Sequence, residues 1–194
     1  MGHDKASLQI GSSTFLQRII DSVRQALPTA QIVVAAAADQ LLPQLPDGLA
    51  ICRDNLANAG PLEGIRAGLH TLTCAPCRVF LTGCDTPLLQ PDVISLMFAE
   101  CKTAAAVLPV DGTREFPLCS VIHSGLLDEI ESMLASGERR LRQLFRRSAA
   151  TRLPVDVLRR IDPQLLSLQN INGQKDYEAL LQYLNIDRKP TEHS

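Results

Sequence analysis

The sequence predicts an α/β domain with a mostly parallel sheet, in which helices alternate with short apolar strands. The first observation is this alternation, since helical and strand-like segments follow one another along nearly the whole chain. The second is the continuous apolar character of the strand candidates, which is typical of strands covered by helices on both faces. The third is a carboxylate, Asp85, that comes soon after one such strand, at the edge where ligands of open α/β sheets bind.

The first half of the chain contains two predicted helices with two strands between them. Apolar residues recur at helical spacing in the first helix, and a hydroxyl residue stands before it as a suitable N-cap. The second helix opens with Gly60-Pro61, and proline suits the first turn of a helix. These elements are a helix through Phe15, Ile19, Val23 and Ala26 capped by Ser13 or Thr14, strands over 31–36 and 48–52, and a helix from 60 to about 72.

The second half continues the alternation. A strand over 79–82 precedes Asp85, and a helix over 91–102 follows it. Two further strands, over 104–108 and 118–122, are joined by the turn-rich run Asp111-Gly112-Thr113-Arg114. The remaining predicted elements are helices over 126–134, 139–147 and 174–184 and a short strand over 151–155. The predicted domain covers residues 1–184, and a polar tail covers 185–194.

Composition narrows the classes of protein to which the chain can belong. Its 194 residues are 45% hydrophobic and carry a formal charge of −2, which is ordinary for a globular domain. No basic face indicates nucleic-acid binding, and no apolar run approaches the roughly 18 residues that span a membrane. The N-terminus lacks the apolar core of a signal peptide. These observations predict a cytoplasmic protein that binds neither nucleic acid nor a membrane.

The six cysteines are scattered along the chain, which favours reduced, buried thiols. Cys74 and Cys77 form a C-x-x-C pair. A zinc site would need a second pair of ligands at metal-binding spacing. A redox motif of the usual kind would open a helix after a strand, whereas this pair precedes a strand. The sequence therefore predicts no functional role for the pair.

Short polar and glycine-containing motifs stand in a fixed order along the chain. They are Met1-Gly2-His3-Asp4-Lys5, Asp54, Gly60-Pro61-Leu62-Glu63-Gly64, Gly83-Cys84-Asp85-Thr86-Pro87, Phe116-Pro117-Leu118, Gly137-Glu138-Arg139-Arg140 and Asn170-Ile171-Asn172. In this order and at this spacing the chain resembles the molybdenum cofactor guanylyltransferase family, a branch of the MobA-like NTP transferases, from residue 1 to about 183. The resemblance implies a three-layer α/β/α nucleotidyltransferase fold, Rossmann-like and similar to the GT-A fold.

The resemblance also implies a reaction, in which GMP moves from GTP to molybdenum-molybdopterin and pyrophosphate is released. Mg²⁺ is the implied cofactor, and molybdoenzymes or cofactor-delivery proteins are further implied partners. Such catalysis consists mainly of positioning and charge neutralisation. An acceptor phosphate with a second pKa of about 6 needs no general base at neutral pH. Two alternatives remain open, namely a cytidylyl or other NTP transferase of the same superfamily and a non-catalytic nucleotide-binding protein.

Four candidate site residues belong to the nucleotide side. Asp85 is the predicted catalytic Mg²⁺ ligand, because one carboxylate together with substrate phosphates commonly holds this ion; an ordinary turn aspartate is the alternative. Lys5 is predicted to contact the NTP phosphates as a compact cation, with a solvated lysine as the alternative. Asp54 matches the family's nucleotide-contacting acid, with an ordinary loop aspartate as the alternative. Gly60 either lets a helix start approach the nucleotide closely or serves only the turn and packing.

Two asparagines and an arginine group are candidates for the acceptor side. Asn170 and Asn172 point the same way if the backbone is extended. The resemblance implies that they bind a pterin or its phosphate. The alternative makes Asn172 the N-cap of the last helix, and the two are compatible if Asn172 caps and Asn170 binds the ligand. Arg139, Arg142 and Arg146 share one face of a predicted helix, which either contacts a polyanionic substrate or is simply solvated.

The beginning and the second strand both depart from the family pattern. The resembled family starts with a strand and a Leu-Ala-Gly-Gly-x-Ser-x-Arg loop that wraps the nucleotide phosphates, whereas the sequence opens at the Met-Gly that ends this motif. We therefore expect an N-terminally incomplete domain, in-frame codons for the strand and loop ahead of Met1, and a gap in the sheet. The alternative is a genuine, marginally folded remnant that lacks the strand and loop. The alanines at 35–38 replace an asparagine that the guanylyl branch tends to place near the base.

Overall fold

The computed structural model describes residues 5–54, 60–74 and 76–186. Its helices are α1 (Phe15–Ala26), α2 (Pro61–Thr71), α3 (Pro91–Glu100), α4 (Leu127–Ala135), α5 (Leu141–Arg147), α6 (Val155–Leu158) and α7 (Gln174–Tyr183). Its strands are β1 (Gln9–Ile10), β2 (Ser13–Thr14), β3 (Val33–Ala37), β4 (Ala50–Asp54), β5 (Arg78–Thr82), β6 (Ala106–Asp111), β7 (Arg114–Glu115), β8 (Cys119–His123) and β9 (Thr151–Pro154).

The main sheet has the strand order β5-β8-β6, with β7 and β9 also paired to β6. Strand β8 is antiparallel to both β5 and β6, and β9 is parallel to β6. Strands β5, β6 and β9 therefore run in one direction, and β8 runs against them. The reason is the short β6–β7–β8 connection, because antiparallel strands can follow each other through a tight turn whereas parallel strands need a long crossover. The predicted α/β class is confirmed, with this antiparallel insertion.

Strands β3 and β4 form a separate parallel pair, in a register that runs from Val33 opposite Ala50 to Ala37 opposite Asp54. Among the described residues, this pair shares no strand pairing with the main sheet. Helix α1 packs on both parts, since its Ile20 contacts the cluster of Val34 and its Ile19 contacts the cluster of Phe80. The strands of these described residues are thus divided into two parts, and helices connect them. The gap expected from a missing first strand stays a prediction.

Helix α2 also reaches both parts of the divided sheet. A Cβ on its Gly64 would lie 3.4 Å from the Cβ of Ala35 in β3, so this helix lies directly on the strand. Its Leu62 and Leu69 belong to the same buried cluster as Leu81 of β5. Because α1 and α2 each contact both parts, the two parts are held together by side-chain packing.

The two faces of the main sheet are covered by different helices. Alternate residues of β6 point to opposite faces, as the period of a strand requires. Leu108 packs in a cluster with Leu144 of α5, whereas Val107 packs in a cluster with Met97 of α3. Helices therefore lie on both sides of one sheet, and the predicted three-layer α/β/α arrangement is confirmed.

Some element boundaries differ from the sequence prediction. Thr14 is the N-cap of α1, as expected, and forms a reciprocal capping box with Gln17. Helix α5 begins at Leu141, so the helix predicted from 139 starts too early. The physical reason is Glu138, whose carboxylate accepts the backbone N–H of Arg140 at 2.9 Å and keeps that residue extended. The β1–β2 hairpin, β7 and α6 were not predicted, because segments this short carry no measurable hydrophobic period.

The last described residues pack onto the domain. The backbone N–H of Ile186 donates to Leu181 at 3.0 Å, and its side chain joins a cluster with Phe15 and Ile10. Residues 187–194 of the predicted tail lie outside the described part of the chain. Within the described ranges, none of the helices is both long enough and apolar enough to cross a membrane.

Candidate active site

Asp85 lies in the turn that follows β5, and its position is set by Gly83. A Cβ on Gly83 would lie 2.7 Å from Oδ1 of Asp85, so a side chain at position 83 would displace the Asp85 carboxylate from its observed position. The hydroxyl of Thr86 donates to the carbonyl of Gly83 at 3.2 Å and closes the turn. The Gly-Cys-Asp-Thr order thus folds the Asp85 carboxylate back over the end of the strand.

The Asp85 carboxylate is half-buried, and nothing in the described ranges forms a hydrogen bond or an ion pair with it. Its backbone carbonyl, in contrast, accepts a hydrogen bond from the N–H of Ile171 at 2.8 Å. A partly desolvated carboxylate without a protein partner is a suitable ligand for a hard divalent cation. These residues therefore fit the Mg²⁺ site that the sequence indicates.

The 170–172 segment brings both predicted asparagines to Asp85. Ile171 is buried, and its two neighbours Asn170 and Asn172 are exposed, which is the alternation of an extended backbone. The Nζ of Lys5 donates to Oδ1 of Asn172 at 2.7 Å, across 167 positions of sequence. Lys5, Asp85 and the asparagines, which the sequence placed in one site, are therefore neighbours in the structure.

Asn172 is not the N-cap of α7, so this alternative is wrong. The N-cap position belongs to Gly173, and the carboxylate of Asp176 accepts the backbone N–H groups of Asn172 and Gly173, each at 2.9 Å. The hydrogen bond from the N–H of Asn172, and after it that from Gly173, lowers the pKa of Asp176 below its ordinary value. Because Asp176 satisfies the helix start, the amide of Asn172 remains available to Lys5 or to a ligand.

The start of α2 depends on the backbone of Gly60. This residue has a φ of 70° and a ψ of −175°, a conformation that is essentially restricted to glycine. Gly64, by comparison, serves packing, since it lies against Ala35. Asp54 ends β4, but its side chain and residues 55–59 lie outside the described part of the chain. Close approach of Gly60 to a nucleotide and contact of Asp54 with it stay predictions.

A buried ion pair at the start of α2 was not predicted from the sequence. The side chain of Glu63 is only 1% exposed, and Arg66 donates to its two oxygens at 2.7 Å and 2.6 Å. These hydrogen bonds lower the pKa of Glu63, against the opposing effect of its burial. The i, i+3 spacing of the pair could have signalled the contact but not its burial.

A cavity of about 620 Å³ opens beside the Asp85 turn and the 170–172 segment, since Thr86 and Asn170 line it. It carries four arginines and one glutamate, so its charge favours an anionic ligand. The guanidinium of Arg114 lies 4.7 Å from the ring centre of Phe116, and Arg140 donates to Glu138 at 2.6 Å and 2.9 Å. The charged and polar lining residues are Arg114, Glu115, Arg140, Arg142, Gln143, Arg146, Thr86, Ser167 and Asn170.

The predicted arginine face is only partly right. Arg142 and Arg146 line the cavity from α5, one helical turn apart, whereas Arg139 precedes the helix and is not part of the lining. Arg114 was missed because the sequence predicted a turn there, whereas Arg114 lies in β7, paired with Asp111 of β6, and lines the cavity. Asn170 lines the cavity directly, which connects it to the Asp85 turn.

The buried carboxylate of Asp162 fixes the chain that leads to Asn170. Its Oδ1 accepts the N–H of Leu166 at 3.0 Å, and its Oδ2 accepts the N–H of Ser167 at 2.8 Å. The hydroxyl of Ser167 accepts the N–H of Gln90 at 3.0 Å. Sequence reasoning did not identify this residue, because an Asp-Pro pair usually marks an exposed turn.

The family model of the MobA-like NTP transferase domain matches residues 1–153. The chain belongs to this family. It is 31% identical over 186 residues to a Methanosarcina mazei protein named "Probable molybdenum cofactor guanylyltransferase", with 92% of this chain and 82% of the relative covered. This MobA-like chain is therefore a nucleotidyltransferase, as the sequence predicted.

Solved structures agree with the fold of this MobA-like chain. Molybdopterin-guanine dinucleotide biosynthesis protein A from Archaeoglobus fulgidus has a TM-score of 0.73 and 20% identity, over 95% of this chain and 92% of that chain. The 2-C-methyl-D-erythritol 4-phosphate cytidylyltransferase from Thermus thermophilus has a TM-score of 0.68 and 13% identity, over 94% of each chain. Identities this low show the nucleotidyltransferase fold alone.

Proposed function

We propose that this MobA-like nucleotidyltransferase moves GMP from GTP to the phosphate of molybdenum-molybdopterin and releases pyrophosphate. The observation that carries the proposal is the meeting of Asp85, Lys5 and the 170–172 segment beside an arginine-lined cavity. The names of the curated relatives support the choice of nucleotide and acceptor.

On the donor side, Asp85 and Lys5 provide complementary contacts. The carboxylate of Asp85 would hold Mg²⁺, which neutralises charge on the triphosphate when bound. Lys5 exchanges its contact with Asn172 for a phosphate oxygen, since an exposed ammonium group pairs readily with an anion. The two side chains would fix the triphosphate at the end of β5 and keep its α-phosphorus facing the cavity.

On the acceptor side, the cavity provides cations and an amide. Arg142 and Arg146 would bind the acceptor phosphate, because guanidinium groups match phosphate oxygens in charge and geometry. Asn170, which also lines the cavity, would hydrogen-bond the pterin. The acceptor phosphate is already largely ionised at neutral pH, so these residues need only orient it. The reaction is therefore catalysed by positioning and charge rather than by proton transfer.

A competition assay tests the nucleotide. The protein is given a molybdopterin acceptor, Mg²⁺ and equal concentrations of all four NTPs, and the dinucleotide products are separated by chromatography. We expect GTP to be preferred. If the Asp54 carboxylate accepts from guanine N–H donors, Asp54→Ala should reduce that preference about ten- to a hundredfold, the value of one charged hydrogen bond. Preferential CTP incorporation would assign the chain to the cytidylyl alternative.

A matched pair of variants tests the site itself. Asp85→Asn keeps the shape of the side chain and removes its charge, so turnover should fall by orders of magnitude while thermal unfolding changes little. Asp92→Asn, an exposed position in the first turn of α3, is the control and should retain activity. Equal turnover of the two variants would show that Asp85 is only a turn residue. Nucleotide binding without turnover in the unmodified protein would favour the non-catalytic alternative.

A further inference from the structure

Two thiols lie close together just before β5, at the strand end opposite to the Asp85 turn. The Sγ of Cys74 lies 3.1 Å from the Sγ of Cys77, and the thiol of Cys77 also donates to the carbonyl of Cys74 at 2.6 Å. Both cysteines are in the free form. They stand between the end of α2 and the start of β5, so the five-residue strand, roughly 16 Å long, separates them from the Asp85 turn.

The two cysteines differ in how they are held. The backbone N–H of Cys77 donates to the hydroxyl of Ser124 at 2.9 Å, and its carbonyl accepts the N–H of Ser124 at 2.8 Å. These bonds extend the pairing of β5 with β8 by one residue. Cys74 lies outside that pairing and is exposed, whereas Cys77 is half-buried. One thiol of the pair is therefore anchored on the sheet, and the other faces solvent.

The other cysteines are less accessible to reagents than Cys74. Cys52, Cys101 and Cys119 are buried, and burial raises the pKa of the Cys119 thiol to about 12. In the described ranges, no cluster of three or more His, Cys, Asp or Glu side chains could complete a metal site around the pair. Thiol chemistry therefore fits the pair better than zinc ligation does.

We infer that Cys74 and Cys77 form a reversible dithiol–disulfide couple, a modification site separate from the nucleotidyl-transfer site. The oxidant is a low-molecular-weight disulfide such as oxidised glutathione. The thiolate of Cys74 attacks one sulfur of that disulfide, forms a mixed disulfide and releases one glutathione thiolate. The thiolate of Cys77 then attacks the Cys74 sulfur, forms the intramolecular bond and releases the second glutathione. The protein is oxidised by two electrons, and one glutathione disulfide is reduced to two thiols.

The order of attack follows from the contacts. Cys74 reacts first because it is exposed. Burial, and then the hydrogen bond with Cys74, raises the pKa of Cys77 and favours its protonated form until Cys74 has been modified. The second step is intramolecular, between sulfur atoms that already lie in contact, so it should outpace release of glutathione from the mixed disulfide.

The native protein in glutathione buffers of defined oxidised-to-reduced ratio provides the test, with acid quenching, intact mass and peptide mapping as readouts. We expect the unmodified protein to lose two hydrogen atoms, to carry a Cys74–Cys77 link, to accumulate little glutathione adduct and to return to the dithiol with dithiothreitol. Cys77→Ser should instead accumulate a stable adduct at Cys74. Cys74→Ser should react far more slowly.

Three results would overturn the inference. They are a stable glutathione adduct at Cys74 in the unmodified protein, an unchanged mass across the whole range of buffers, and a link that involves Cys84 in place of either member of the pair. Cys84→Ser is the matched control, and it should form the same Cys74–Cys77 link as the unmodified protein. None of these readouts depends on nucleotidyl transfer, so failure here is distinguishable from failure of the proposed reaction.

Discussion

Asp162→Asn should destabilise the protein, although the substitution changes only one atom and the charge. The carboxylate accepts two backbone N–H groups, those of Leu166 and Ser167, one on each oxygen. An asparagine amide has a single acceptor oxygen, so one buried N–H would face an NH₂ group. Leaving a buried donor without a partner costs about 1–3 kcal/mol. For a chain of this size that cost lowers the melting temperature by about 2–12 °C.

The assay is thermal and urea unfolding at neutral pH, with Asp156→Asn as the matched control. The side chain of Asp156 is 88% exposed and lies 3.5 Å from Arg159, so its loss should change stability by less than about 0.5 kcal/mol. Because Asp162 fixes the chain that leads to Asn170, its variant should also weaken binding of the acceptor more than binding of the nucleotide. Equal unfolding curves for the two variants would refute the reasoning.

Three other predictions rest on single contacts. Gly60→Ala should lower the free energy of unfolding by about 1–3 kcal/mol, because the residue has a positive φ. Gly68→Ala, inside α2 where nothing lies within 4 Å, should raise that free energy by about 0.5–1 kcal/mol. Urea unfolding compares the two variants. Arg146→Gln should raise the KM for the acceptor about ten- to a hundredfold through loss of a charged hydrogen bond, while Arg147→Gln, which removes a surface pair with α4, should not. Because the pKa of Glu63 is lowered in the folded protein, ionised Glu63 stabilises the fold fully above its ordinary pKa of 4.5. This contribution to stability is lost as the pH falls through the folded-state pKa. Glu63→Gln should therefore flatten the acid side of a plot of melting temperature against pH, and an unchanged acid side would contradict this.

Local signals in the sequence were sufficient for most of the fold. These signals act within a few residues and can be identified in the sequence. Examples are the N-cap Thr14, the proline that opens α2 and the apolar run of β5. The interruption of the parallel sheet by β8 was not apparent, because strand direction depends on the length of the connections. The start of α5 was missed for a different reason, since the carboxylate of Glu138 competes for the N–H of Arg140.

In the candidate site, too, residues carried by short motifs could be predicted, and residues positioned by long-range contacts could not. The proximity of the Asp85 turn, Lys5 and the two asparagines could be predicted because short motifs carry them. Their roles in binding and catalysis stay predictions. Arg114 and Asp162 could not be predicted, because their positions depend on contacts between distant segments. Arg114 reaches the cavity through pairing of β7 with β6, and Asp162 meets α3 through Ser167 and Gln90.

The division of the sheet has a consequence for local unfolding. In the described part of the chain, the β3–β4 pair is connected to the remainder by side-chain packing of α1 and α2, without a shared strand ladder. Such a unit can open without breaking the β5–β8–β6 ladder, so its amide hydrogens should exchange with solvent at a lower free energy than those of β6. A nucleotide that contacts the end of β4 would bind the closed form and slow this exchange in proportion to its occupancy. The nucleotide would then act as a folding ligand for the weaker half of the domain before it acts as a substrate.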